Sequence, residues 1–218
     1  MDLYINMMKL INASDLSPEE TYKLLSGLVV PRPIAWITTI SKQVTSKEII
    51  NLAPFSCFTF VSNKPPMIGI NIGTKAGISK DTSRNIHEHK EFVVNIADET
   101  MIAMIHESAV EHPPECSEVE LLGLTTIASV KIKTPRLSIV PASMECRFHS
   151  ATAFGNTGSE FIVGEVLAFH IRDDLNQNYK IDSSLLRPIA RLAGPNYAGI
   201  GEIIEQKNIY QTPKVSIK

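Results

Sequence analysis

The chain predicts a mainly β protein with peripheral helices, and two features carry that prediction. Runs rich in β-branched and aromatic residues recur along most of its 218 residues, with only a few helical stretches between them. The strands do not alternate strictly with helices. That argues against a doubly wound parallel sheet and for a closed or nearly closed antiparallel barrel with helical insertions. Hydrophobic residues make up 44% and charged residues 20%, as in ordinary globular domains. The formal net charge of −2, with no basic run, excludes the concentrated basic surface of a nucleic-acid binder.

The elements follow in order. Ser17-Pro18-Glu19-Glu20 is a helix start: serine caps, proline takes the first helical position, and Glu20 closes a capping box. That helix is expected to reach about Leu25, with Gly27 just past its end. Pro31-Arg32-Pro33 then hands over to a buried strand, 34–40, and the polar stretch 41–47 reads as a hairpin turn. A second strand is expected over 51–61, with Pro54 forcing a bulge or an edge, because proline donates nothing to a ladder. A third strand over 67–72, a polar glycine-containing loop 73–79, a short helix 82–89 and a fourth strand 91–97 come next. Helices are expected over 101–109 and 114–122, and strands over 125–134, 142–154 and 160–172. The glycine- and proline-rich tail from Leu185 reads as loop.

Cys57, Cys116 and Cys146 form no CxxC pair, and an odd count does not suit a disulfide scaffold, so reduced thiols in a cytoplasmic protein are expected. The N-terminus has neither the apolar core of a signal peptide nor the length of a membrane span. Residues 1–13 read as an extension, 14–205 as one domain and 206–218 as a tail.

The segment from Gly73 to Ile86 joins a strand to a helix. The first N–H groups of a helix lack internal partners, and the helix dipole adds partial positive charge there, which suits a phosphate. Lys80 can add a full charge, Thr82 a hydroxyl and Asn85 an amide; alternatively Ser79 or Asp81 simply caps the helix and Lys80 is solvated. The GxxxxGK[ST] order of a P-loop is absent. Around Pro54, backbone groups freed from the ladder need other partners, and a flat heterocycle with edge donors and acceptors can supply them; a plain bulge is the simpler reading. Trp36 can stack on a ring or fill the core, and one of Thr38 and Thr39 should face inward. The histidines show no metal-ligand spacing, and no GxSxG, HExxH or GxGxxG motif occurs.

Seven blocks in order, RPIAWITT (32–39), NLAPFSCF (51–58), KDTSRNI (80–86), FVVN (92–95), ECRF (145–148), GEV (164–166) and RPIARLAG (187–194), resemble the flavin-reductase-like, FMN-binding split-barrel family. That family includes flavoredoxins and the reductase components of two-component monooxygenases. The resemblance covers about residues 14 to 205. It implies a six-stranded antiparallel Greek-key barrel, a homodimer, and FMN in a groove near the dimer interface. Carried over, Asn51, Ala53, Pro54, Phe55 and Ser56 line the isoalloxazine, with Trp36, Thr38 and Thr39 beside it. Ser79, Lys80, Asp81, Thr82 and Asn85 form the phosphate end, and Arg191 and Tyr197 approach the flavin or the opposite subunit. The implied activity is NAD(P)H-dependent flavin reduction serving a partner monooxygenase or electron-transfer protein. Many NAD(P)H-using members carry Gly-Asp-His before the strand ending in GEV, where this chain has Gly158-Ser159-Glu160. That departure keeps a second reading open: an FMN-bound electron carrier not reduced directly by NAD(P)H.

Overall fold

A computed structural model describes residues 8–41, 48–75 and 77–207. The expected hairpin turn after Ser41, most of the tail beyond 205, and much of the N-terminal extension lie outside the described residues. Seven strands form the main sheet: β1 (Ala35–Ser41), β2 (Ile49–Phe55), β3 (Phe58–Asn63), β4 (Pro66–Ile72), β5 (Glu91–Ile96), β6 (Ala142–Phe154) and β7 (Ser159–Ile171). The order across the sheet is β2-β1-β5-β6-β7-β4-β3, and each neighbouring pair is antiparallel.

The two rim strands of this sheet, β2 and β3, are consecutive in the chain and are separated only by Ser56 and Cys57. A single bent run, 49–63, therefore supplies both rims, and counting it once gives a six-stranded split barrel. The strand expected over 51–61 breaks after Phe55, not at Pro54. Pro54 pairs in register with Trp36 on a rim strand, a position where a missing N–H is tolerated.

The barrel interior holds Ala35, Ile37, Ile70, Phe92, Val94 and Ile162, among others. Two glycines make room for rings, Gly164 in the barrel interior and Gly69 on the opposite face of the sheet. A Cβ on Gly164 would stand 2.5 Å from Phe92 Cζ, and one on Gly69 would overlap the Phe161 ring. A second core on the outer face of the sheet gathers Trp36, Leu52, Met101, Ile105, Val119 and Leu137.

The helices are α1 (Pro18–Leu28), α2 (Asp81–His89), α3 (Ile102–Glu107), α4 (Glu118–Leu121) and α5 (Ser183–Leu186). The α1 capping box forms as expected, but the helix runs on through Gly27 to Leu28. Its end is held by Arg32, whose Nη1 donates to the carbonyls of Ser26 and Val29 at 2.6 Å each. These are last-turn carbonyls with no partner inside the helix, and a cation there also suits the dipole.

Two expectations need correction. The helix expected over 114–122 shrinks to the single turn of α4, capped by Ser117. The strand expected over 125–134 is only the two-residue pairing of Thr126–Ile127 with Arg136–Leu137. The rest of it hydrogen-bonds to carboxylates. Val130 N and Lys131 N donate to Glu145, and Lys133 N and Thr134 N donate to Glu91. Side chains thus satisfy the backbone donors that a ladder would have used. The tail is more ordered than expected: α5 forms, and Ala190–Arg191 pairs with both Arg32–Pro33 and Tyr197–Ala198.

Candidate functional site

A groove of about 360 Å³ opens between three segments. Its floor is the rim strand β2 at Asn51, Ala53, Pro54 and Phe55. One bank is the hairpin and helix start around Ile78 to Thr82, and the other is the segment 108–112 that follows α3. The size lies within the usual range of small-molecule pockets, about 300–1,000 Å³.

The helix start is shaped for an anion. Lys80 is the N-cap of α2, with extended backbone (φ −65°, ψ 154°), and among the described residues no side chain caps the free N–H groups behind it. Asp81 is turned to Arg84 in an ion pair, and Arg84 also donates to Ser79 O at 2.6 Å. Lys80 has no carboxylate partner among the described residues; its Nζ stands 5.6 Å from the centre of the Phe55 ring. A cation and uncapped amides therefore sit at the end of an apolar floor. Across the groove, Lys75 Nζ meets Glu111 Oε2 at 2.5 Å, linking the two banks.

Behind the floor lies a buried polar network. Thr82 Oγ1 donates to Asn51 Oδ1 at 2.9 Å, and Thr39 Oγ1 does so at 3.3 Å. Asn85 Nδ2 donates to Thr39 Oγ1 at 3.0 Å. Asn51 Nδ2 donates to Glu118 Oε2 at 3.0 Å, and Leu52 N donates to the same oxygen at 2.9 Å. These groups lock the start of α2 onto the rim strand. Asn51 and Glu118 reach the groove from this network.

The groove thus gathers eight of the sequence-derived candidates: Asn51, Ala53, Pro54, Phe55, Ser79, Lys80, Asp81 and Thr82. The Thr82 side chain is buried at 1% exposure and bonded to Asn51, so what it offers an anion is its backbone N–H. Thr39 and Asn85 stand behind the wall in the network just described. Trp36 is fully buried in the outer core, with Nε1 donating to Ser108 Oγ at 2.9 Å. Thr38 is also buried and donates to Pro135 O at 2.7 Å. Ser56, at the break between the rim strands, accepts from Arg32 Nε at 3.3 Å. Arg191 and Tyr197 pair with each other, Nη1 to hydroxyl at 2.5 Å, and His106 Nδ1 lies 3.2 Å from the same hydroxyl.

Sequence reasoning missed Glu118 and the segment 108–112. Nothing in the local pattern marks them, because α4 and the end of α3 reach β2 only through tertiary packing. The Gly158-Ser159-Glu160 turn is also resolved: Gly158 has φ +75°, and Glu160 is held by α2 through Ser83 and through His87 Nε2 at 2.8 Å. No three metal-ligating side chains converge among the described residues.

The sequence of residues 26–186 matches the flavin reductase like domain. The chain belongs to that family. This flavin reductase-like chain is 42% identical over 197 residues to an uncharacterised protein of Halalkalibacterium halodurans, covering 88% of this chain and 92% of the relative. Its fold superposes on nitrilotriacetate monooxygenase component B from Bacillus cereus with a TM-score of 0.86 at 40% identity, covering 92% of this chain and 100% of the other. It also superposes on the 2-nitrobenzoate 2-nitroreductase NbaA of Pseudomonas fluorescens, with a TM-score of 0.82 at 29% identity, covering 94% and 99% of the two chains. The mainly β split barrel expected from the sequence is the fold of this family.

Proposed function

We propose that the groove binds FMN and that the protein is an NAD(P)H-dependent flavin reductase supplying reduced flavin or electrons to a partner. The observation that carries this reading is the combination, in one groove, of the uncapped α2 start with Lys80 at one end and the Asn51–Phe55 rim strand as floor. The donor set fits the cofactor. Backbone N–H groups and a lysine suit a phosphate, and a proline-bearing rim strand leaves backbone edges for a flat heterocycle. Bound flavin supplies the electron chemistry, accepting hydride equivalents at its ring and passing electrons on. The protein's own part is to hold, orient and shield. Lys80 and the amides behind it anchor the phosphate, Ala53 to Phe55 present the ring, and the Lys75–Glu111 pair spans the banks above it. No side-chain nucleophile or general base is required. A homodimer, with Arg191 and Tyr197 near the shared face, and a partner monooxygenase or electron-transfer protein complete the proposal.

The test is anaerobic mixing of FMN-loaded protein with NADH and with NADPH. Bleaching of the yellow band by either supports the reductase reading, and no bleaching with either overturns it.

One observation favours a second reading, an FMN-bound electron carrier. Glu160 occupies the last place of the motif in which many NAD(P)H-using members carry histidine, and its carboxylate is already taken by Ser83 and His87. Reduction by a protein donor but not by either nicotinamide nucleotide would select this reading.

A further inference from the structure

We propose that Glu118 sets the electron affinity of the bound flavin, as a fixed negative charge built into the groove beside the ring-lining strand. The inference rests on the FMN reading above and goes beyond it by naming the residue that tunes the cofactor.

Placement is the first argument. Ser117 caps α4, and its Oγ donates to Ile50 O at 2.7 Å, which pins the helix turn to β2 one residue before Asn51. Glu118, the next residue, is only 7% exposed and lines the groove. Its Oε2 takes two N–H bonds, from Leu52 N and Asn51 Nδ2. The strand it binds continues directly into Ala53, Pro54 and Phe55 on the groove floor.

Charge balance is the second argument. Of the groove's lysines and arginine, Lys75 pairs with Glu111 and Arg84 with Asp81, while Lys80 stands at the far end over the Phe55 ring; among the described residues none of them pairs with Glu118. Among the described residues, Glu118 makes hydrogen bonds to neutral donors and no ion pair. A charge that has no ion-pair partner and is largely buried is screened less than a surface charge.

The consequence follows from flavin chemistry. Two-electron reduction adds negative charge to the isoalloxazine at neutral pH, while the phosphate charge stays the same. A fixed anion beside the ring opposes that gain and holds the potential low. Glu118 also orients its surroundings. A carboxylate only accepts, so the Asn51 amide turns its NH2 to Glu118 and its oxygen to Thr82 and Thr39.

The experiment compares FMN-loaded wild type, Glu118→Gln and Glu118→Asp. Midpoint potentials come from anaerobic spectroelectrochemical titration, and FMN affinity is measured in both redox states. Glutamine matches glutamate in shape, and its carbonyl can accept both N–H bonds. In Glu118→Gln the reduction equilibrium should move about tenfold toward reduced flavin, which is about 30 mV for a two-electron couple. Reduced FMN should tighten relative to oxidised FMN. Glu118→Asp, which keeps the charge on a shorter arm, should stay near the wild-type potential. An unchanged potential in Glu118→Gln overturns the proposal. So do equal shifts in both variants, which would make geometry the cause, and so does equal tightening of both redox states, which would place the charge at the phosphate. A wild type that binds no FMN overturns the flavin reading itself, whereas the preceding outcomes overturn only the role of Glu118.

Discussion

Trp36 and Ser108 join the core on the outer face of the sheet to the wall of the groove through an indole N–H to hydroxyl bond of 2.9 Å. Ser108 lines the groove, while Trp36, the chain's only tryptophan, is fully buried. Intrinsic tryptophan fluorescence should therefore be quenched when FMN binds, and the Kd can be read from that quenching. Trp36→Phe should lose about 1–3 kcal/mol of stability, since a buried bond partner and ring volume go together. Chemical denaturation measures it.

Lys80 carries the phosphate prediction. Lys80→Ala should weaken FMN binding by about 1.5–3 kcal/mol, the usual contribution of a hydrogen bond to a charged group. Adding Thr82→Ala should bring the loss to about 2–4 kcal/mol, less than a full sum, because the threonine hydroxyl acts through Asn51. Equilibrium titration of the apoprotein with FMN checks both values. Undiminished FMN retention in the double variant would put the phosphate elsewhere.

Glu145 gives an acid-sensitivity prediction. Its side chain is fully buried, and His170 Nε2 lies 2.6 Å from its Oε1. Burial works against its charge, but the N–H bonds from Val130 and Lys131 and the His170 contact outweigh it and hold the carboxyl below its usual range. A depressed carboxylate pKa contributes its full stability above the unfolded value, about 4.3, and loses it as pH falls through the folded value. Wild type should lose stability on acidification below about pH 4.3 more steeply than Glu145→Gln. At neutral pH the variant should be weaker by about 1–3 kcal/mol, since one of the two loop amides loses its acceptor. Urea unfolding across a pH series tests the crossing trend.

Much of this arrangement was legible in the sequence, and the reasons differ by element. Ser17-Pro18-Glu19-Glu20 signalled the α1 start because capping is local chemistry. The long strands β6 and β7 were visible because β-branched and aromatic residues dominate them. The stretch 128–134 misled because it has strand composition, yet its amides are claimed by Glu91 and Glu145, which lie far away in sequence. Within the groove, Lys80 and Thr82 stand in a recognisable strand-to-helix junction. Glu118 and Ser108 do not, since only three-dimensional packing brings them to β2. On local pattern Trp36 read as core before ring contact, an inward hydroxyl of Thr38 or Thr39 suited a ligand or a barrel hydrogen bond equally, and the structure places all three in buried hydrogen bonds.

Gly164 predicts a packing limit. Its missing side chain leaves the space occupied by the buried Phe92 ring, 2.5 Å from where a Cβ would stand. Gly164→Ala should destabilise the barrel by about 1–3 kcal/mol through overpacking. The double variant Gly164→Ala/Phe92→Leu should recover part of that loss, as thermal unfolding can measure.

The rim strand β2 has a bearing on solubility. An unpaired strand edge invites a neighbouring molecule to add a strand, the first step toward β-aggregation. Along this edge the Leu52 N–H is already given to Glu118, and Pro54, two residues on, has no N–H to give. An incoming strand would find neither donor it needs, so the same residues that shape the groove also keep separate molecules from zipping together.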